Sequence, residues 1–176
     1  KEFENLYEGM DCYIFGNGIS LKWYNLEKFA NKKTITCNWL YLHKQIGSLE
    51  LVADIELHPF YYYPYWKNTY SGKWVKNPIT EFSRSSGKFN QEFPIFVSAS
   101  NYLALWNYPN VRYLHNFGER NPDAGILDLA STFSWMKGAL YAMLGIAAFM
   151  GFKKITLVGM DYLYDIVMGP HFYENG

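Results

Sequence analysis

The stretch Cys12-Tyr-Ile-Phe-Gly-Asn-Gly-Ile-Ser-Leu21 sets Gly16, Asn17, Gly18 and Ser20 directly behind an apolar run. A buried strand that breaks on glycines and reaches a helix start, here with Ser20 in the capping position, is where α/β proteins hold phosphate. Glycine lets the backbone approach a ligand closely, and the N–H groups and dipole of a helix start favour an anion. The turn is not Gly-x-Gly-x-x-Gly, because position 21 is Leu, and no Gly-Lys-Ser/Thr follows as in a Walker loop. Glycines needed for packing alone would give the same letters, so both readings stand on this stretch. Further along, polar residues close other candidate strands: Asn38, His58, Asn101 and Asp161. Asn38 suits either a ligand contact or a cap for residues 39–44, and capping is the better-supported role. Asp161 binds a ribose or sugar hydroxyl or holds a catalytic group in place, or else it caps a helix or turn. His171 lies in a Gly-Pro-bounded loop, where an imidazole is suited to take a proton from an attacking hydroxyl. A loop histidine without a role is the competing reading.

The elements that must position these groups follow from the pattern of apolar runs. Tyr13–Phe15, Thr34–Cys37, Leu49–Leu57, Pro94–Val97, Val111–Tyr113 and Gly151–Val158 read as strands. Leu21–Ala30 reads as a short half-buried helix or turn, and a long core helix capped by Ser131 or Thr132 runs through Met150, with Gly138 and Gly145 allowing close packing. Residues 1–10 read as a surface lead-in, and 119–125 as a turn-rich connection. Asp54 and Glu56 match superficially the acidic pair of metal-dependent nucleotide-sugar enzymes, yet fall inside a strand. They read as salt-bridged or solvent-facing, and no metal is expected. Residues 60–74 carry Tyr61, Tyr62, Tyr63, Tyr65, Trp66, Tyr70 and Trp74. Such a loop can stack on a sugar or base or rest at a membrane interface, although packing over the core is favoured for most of it. The Ser-, Gly- and Lys-rich stretch from Lys76 to Gln91 reads as a mobile loop.

Composition bounds the reading. The 176 residues suffice for one domain with a sizeable core. Lys plus Arg and Asp plus Glu balance at 16 each, which gives no general attraction to nucleic acid, so any anion must be held locally. Cys12 and Cys37 fall in predicted core strands, and with no signal peptide they read as reduced thiols of a cytoplasmic protein. The apolar run from Ala139 to Met150 is too short to span a bilayer. The expected fold is α/β: a single Rossmann-like domain over 1–176, with a mostly parallel sheet, helices on both faces and an aromatic lid region.

Taken together, Phe15-Gly-Asn-Gly-Ile-Ser-Leu21, Thr36-Cys-Asn38, His58-Pro59, Ser100-Asn-Tyr102 and Met150-Gly-Phe-Lys-Lys-Ile-Thr-Leu-Val-Gly-Met-Asp161 resemble the bacterial lipo-oligosaccharide sialyltransferases of glycosyltransferase family 42. They also resemble the related 6-hydroxymethylpterin diphosphokinase-like domains. The first resemblance implies metal-independent transfer of a sialic or related acidic sugar from a CMP-activated donor to a bacterial surface glycan. No cofactor beyond that donor is implied. By the same resemblance Gly16, Asn17, Gly18, Ser20, Asn38, His58, Asn101, Gly138 and Tyr164 contact the donor, Asp161 and Tyr164 position its hydroxyls or phosphate, and His171 is the general base. Three departures stand out: His58-Pro59 where the family has Asn-Pro, Trp135-Met-Lys-Gly138 where it has Arg-x-Thr-Ser-Gly, and a short interval from Asp161 to His171 in place of the family's lid. The chain also stops before the C-terminal part of a complete transferase. The second resemblance rests on Gly159-Met-Asp161-Tyr-Leu-Tyr164 followed by His-Phe, and implies diphosphoryl transfer to a pterin. A domain that only binds nucleotide or glycan is the third reading. The partners implied are a nucleotide sugar and a glycan acceptor, without nucleic acid. The setting is the cytoplasm or the inner face of its membrane, with homo-oligomerisation and peripheral membrane association left open.

Overall fold

A computed structural model describes residues 2–114, 138–163 and 171–174. Six strands form one parallel sheet: β1 (Asp11–Phe15), β2 (Lys33–Cys37), β3 (Glu50–Glu56), β6 (Ile95–Ser98), β7 (Val111–Leu114) and β8 (Lys154–Val158). Two further strands, β4 (Tyr65–Lys67) and β5 (Trp74–Lys76), pair with each other in a separate two-stranded ribbon. The order β7-β6-β3-β2-β1-β8 means that the chain builds outward from β1 on one side and then returns to β8 on the other. The boundary between β1 and β8 is therefore a topological switch point, the place where open α/β sheets leave a crevice beyond the carboxyl ends of their strands. This is the α/β, Rossmann-like architecture that the apolar runs predict.

Helices cover both faces, although few are long. α3 (Ala139–Phe149) is apolar on nearly every side and packs on Cys12, Ile14, Ile35, Ala53 and Ile55. On the other face α1 (Pro78–Ser85), α2 (Tyr102–Leu105) and a series of single 3-10 turns cover Phe15, Leu51, Ile95 and Val97. One extra residue in β3, Val52, opposes the Thr34/Ile35 junction and keeps both cores apolar. Thr34 pairs with Leu51, whereas Ile35 pairs with Ala53, so Asp54 and Glu56 turn toward the 3-10 face while Ala53 and Ile55 turn toward α3.

Several expectations need correction. The stretch from Lys76 to Gln91 is not a loop: Asn77 accepts a hydrogen bond from Ile79 N–H at 3.1 Å, Pro78 opens α1, and Lys88 is buried. The long helix does not run through Gly138, which sits at its N-cap with φ +104°, a conformation suited to glycine. The proposed caps Ser131 and Thr132, and the 119–125 connection, lie outside the described residues. The lead-in is more than surface, since Phe3 packs edge-on to Phe96 and Tyr7 stacks on Phe152. Both cysteines are buried and free, and burial pushes the Cys12 thiol up to about 12. Among the described residues no helix is long and apolar enough to cross a membrane.

Candidate functional site

Gly16 and Gly18 carry β1 past its end without leaving β8. Gly16 N–H donates to Val158 O at 2.8 Å and Gly18 N–H to Gly159 O at 2.9 Å. A Cβ at Gly16 would lie 2.4 Å from the Gly159 carbonyl oxygen, and one at Gly18 would lie 2.4 Å from Asp161 Oδ2. The glycines thus answer to the close approach of the β8 turn, the packing reading of this stretch, and in doing so they set Asn17 at the switch point. Asn17 is 7% exposed, and its Nδ2 donates to Cys37 O at 3.0 Å. That bond fixes the amide, because turning it over would set two oxygens against each other. Among the described residues Oδ1 is left without a partner. A buried acceptor in that state costs about 1–3 kcal/mol, which a donor group on a bound molecule would recover.

The neighbouring strand ends complete a cleft of about 620 Å³. Asn38 adopts φ +53°, which asparagine tolerates better than most residues. Its N–H donates to Ile55 O and its carbonyl accepts from Lys88 Nζ at 2.8 Å. It is not the cap of the next turn, since Trp39 occupies that position. Opposite, Gly138 offers α3 no capping side chain, and Ala139, Leu140 and Tyr141 line the cleft. The positive end of the α3 dipole therefore opens onto the same space as Asn17, an arrangement that favours an anion there.

His171 borders this cleft through a backbone bridge to Gly18, and Phe172 N–H donates to Asn17 O at 3.0 Å. Phe172 anchors the segment in the core, and Tyr173 stacks on the imidazole at 5.1 Å. Glu174 pairs with the ring, Oε1 to Nδ1, at 3.1 Å, while its other oxygen accepts His171 N–H at 2.8 Å. These contacts, the backbone one foremost, hold the Glu174 carboxyl below its ordinary value, so it remains an acceptor that orients the imidazole. Sequence reasoning passed over Glu174; the His-x-x-Glu spacing was the available signal. Burial also pushes up the Cys37 thiol and the Tyr162 hydroxyl on the cleft wall, so neither is poised as a nucleophile.

The remaining sequence candidates separate. Asp161 lines the cleft, but Oδ2 accepts Ser20 N–H at 2.7 Å and Oδ1 accepts the Ser20 hydroxyl at 2.6 Å. The pair ties the β8 turn to the 3-10 turn Ile19–Trp23, whose N-cap is Gly18, so Ser20 neither caps that turn nor faces the cleft. Asp161 thus takes the turn-capping role and acts as a positioning group. His58 and Asn101 lie apart from the cleft. Asn101 is fully buried, accepting Tyr62 N–H and donating to His58 O, both at 3.0 Å, and the exposed His58 ring stacks on Tyr61 at 4.8 Å. Tyr164 lies outside the described residues. Among those described, no three His, Cys, Asp or Glu side chains converge as a group able to hold a metal ion.

A second cavity, of about 610 Å³, lies on the 3-10 face between Tyr41, Leu51, Asp54, Phe82 and Lys88. Its floor is an ion cluster in which Lys88 bonds Glu56 and reaches Asp54 at 3.3 Å, with Thr36 donating to Asp54 at 2.8 Å. The strand carboxylates are therefore salt-bridged and buried, as one of the two sequence readings held. Compared with family models, curated proteins and solved structures, the chain matches none.

Proposed function

We propose that the cleft at the β1/β8 switch point binds a CMP-activated acidic sugar and transfers the sugar to a hydroxyl acceptor. The observation that carries this reading is the convergence of Asn17 with its unpaired buried Oδ1, the N-terminus of α3, and the His171–Glu174 pair on one cleft. Asn17 Oδ1 accepts from an amino or hydroxyl group of the nucleotide, and the first N–H groups of α3 face its phosphate. His171, oriented by Glu174, takes the acceptor proton. The freed oxygen pair forms the new bond at the anomeric carbon as the bond to phosphate breaks, and CMP leaves with that electron pair. Fixed dipoles of α3 offset the charge developing on the departing phosphate. The choice of CMP rests on the strand-end motifs and their likeness to the sialyltransferases.

Titration with CMP, UDP and ATP, with and without magnesium, tests the reading together with donor turnover. The expected result is metal-independent CMP binding that His171→Ala retains, while transfer falls by about 10²–10⁴-fold, the usual worth of a general base. Magnesium-dependent ATP binding in place of CMP would replace this account with diphosphoryl transfer. CMP binding without turnover on any acceptor would leave a binding domain.

A further inference from the structure

We propose that the β4–β5 hairpin is a docking element for the surface of an anionic lipid bilayer. Unlike the rest of the aromatic stretch, where Tyr62 is buried and Tyr61 and Tyr63 pack against the cluster around Ile95 and Val97, this ribbon exposes its large side chains. Trp66 is 44% exposed, Tyr65 52%, Trp74 70% and Tyr70 wholly exposed, which corrects the expectation that most of the loop covers the core. The ribbon adds nothing to the main sheet, and two strands alone are marginal in water, yet its tip is tightly built. Asn68 Oδ1 accepts from Tyr70 N–H, Ser71 N–H and the Ser71 hydroxyl, and Asn68 O accepts from Gly72 N–H. This holds Tyr70 outward.

The register explains what the ribbon presents. Tyr65 opposes Lys76 and Lys67 opposes Trp74, so aromatic rings and amines share one face, while Trp66 and Val75 share the other. From Leu57 to Thr80 the sequence contains no Asp or Glu and three lysines, Lys67, Lys73 and Lys76, in a chain whose charges balance overall. Among the described residues, Lys76 alone of the three has a carboxylate nearby, Glu81 at 3.5 Å. Rings with a polar edge settle at the headgroup level of a bilayer, and the amines meet lipid phosphates. A carbohydrate-stacking surface would instead place carboxylates beside the rings to accept from sugar hydroxyls, and residues 65–76 contain no Asp or Glu. The hairpin follows the carboxyl end of β3, so it rises from the same edge of the sheet as the cleft. The proposal is independent of which nucleotide the cleft takes.

Co-sedimentation of the full chain with phosphatidylcholine vesicles, and with vesicles in which about a third of the lipid is phosphatidylglycerol, tests it directly. Binding is expected to the anionic vesicles, to weaken with added salt, and to fall about fivefold for Lys67→Gln or Lys73→Gln and about 25-fold for both. Tyr70→Ser with Trp74→Ser should lower it further at unchanged charge. These side chains are exposed, so circular dichroism should show every variant folded. Equal partition into both vesicle types, a double lysine variant that binds like the parent, or absence of sedimentation at low salt would overturn the proposal. So would retention by a soluble glycan that survives the lysine changes while vesicles are ignored.

Discussion

Replacing Lys88 with methionine should destabilise the protein by about 3–5 kcal/mol at about pH 8, because it leaves two buried carboxylates without their cation. The Lys88, Asp54 and Glu56 side chains are 4%, 9% and 2% exposed, so little water reaches the carboxylates to substitute for the ammonium group. Methionine keeps the length and fills the space, which isolates the charge from the packing. At a urea dependence of about 2 kcal/mol per M, the unfolding midpoint should fall by about 2 M. The pH dependence sharpens the test. Burial pushes the Glu56 carboxyl up to about 7, with Asp54 adding to the shift and Lys88 opposing it. Burial alone would lower Lys88, but the two carboxylates more than offset it and keep the amine charged. A carboxyl raised on folding binds its proton more tightly in the native state, so its stabilisation is complete below about 4.5 and is lost as pH rises through about 7. At about 1.36 kcal/mol per pH unit, the parent protein gains up to about 3 kcal/mol from this group between neutral and acid pH. Without the cation Glu56 rises further, so the deficit of Lys88→Met should narrow between about pH 8 and 5, and Glu56→Gln added to it should recover part of the loss. Urea curves at several pH values would refute the reasoning if Lys88→Met stayed within about 1 kcal/mol of the parent at about pH 8, or if its deficit ignored pH.

Three other outcomes follow from the site and its supports. Gly18→Ala should cost about 1–3 kcal/mol by thermal or urea melts and loosen the Ser20–Asp161 pair, since its Cβ would meet Asp161 Oδ2 at 2.4 Å and Gly159 O at 2.7 Å; a neutral effect would mean that the β8 turn moves aside freely. Glu174→Gln should leave CMP affinity within a few-fold while lowering turnover, with a smaller loss than His171→Ala, because the amide still bonds the ring without its charge. Asn77→Ala should cost about 1 kcal/mol or more in urea unfolding, as it removes the α1 cap and two bonds from Nδ2 to the Tyr61 and Tyr63 carbonyls, at 2.7 and 3.0 Å.

The parallel sheet was legible because its strands are short apolar runs closed by polar or glycine residues, as Thr34–Cys37 and Ile155–Val158 illustrate. The strand ends carrying Asn17, Asn38 and Asp161 followed from the same pattern, and they do meet on one cleft. What each side chain does there was not legible. Asp161 and Ser20 satisfy each other across strands far apart in sequence, and only the fold reveals that pairing. His58 and Asn101 end strands on the same edge but farther along it, where they brace the loop after β3. The polar stretch before Gln91 hid α1, although Asn77-Pro78 is a readable helix start. Burial of Lys88 could not be read at all, because it depends on a bulge in β3 that turns two carboxylates toward it.

The central claim is that Asn17, the start of α3 and His171 form one nucleotide cleft. Amide chemical-shift mapping of the full chain titrated with CMP, without divalent metal, tests it most directly. The account predicts saturable shifts at residues 16–18, at Asn38, at 138–141 and at His171, with the Tyr41–Lys88 cavity and the β4–β5 hairpin silent. Shifts confined to that cavity, or no saturable response, would contradict it.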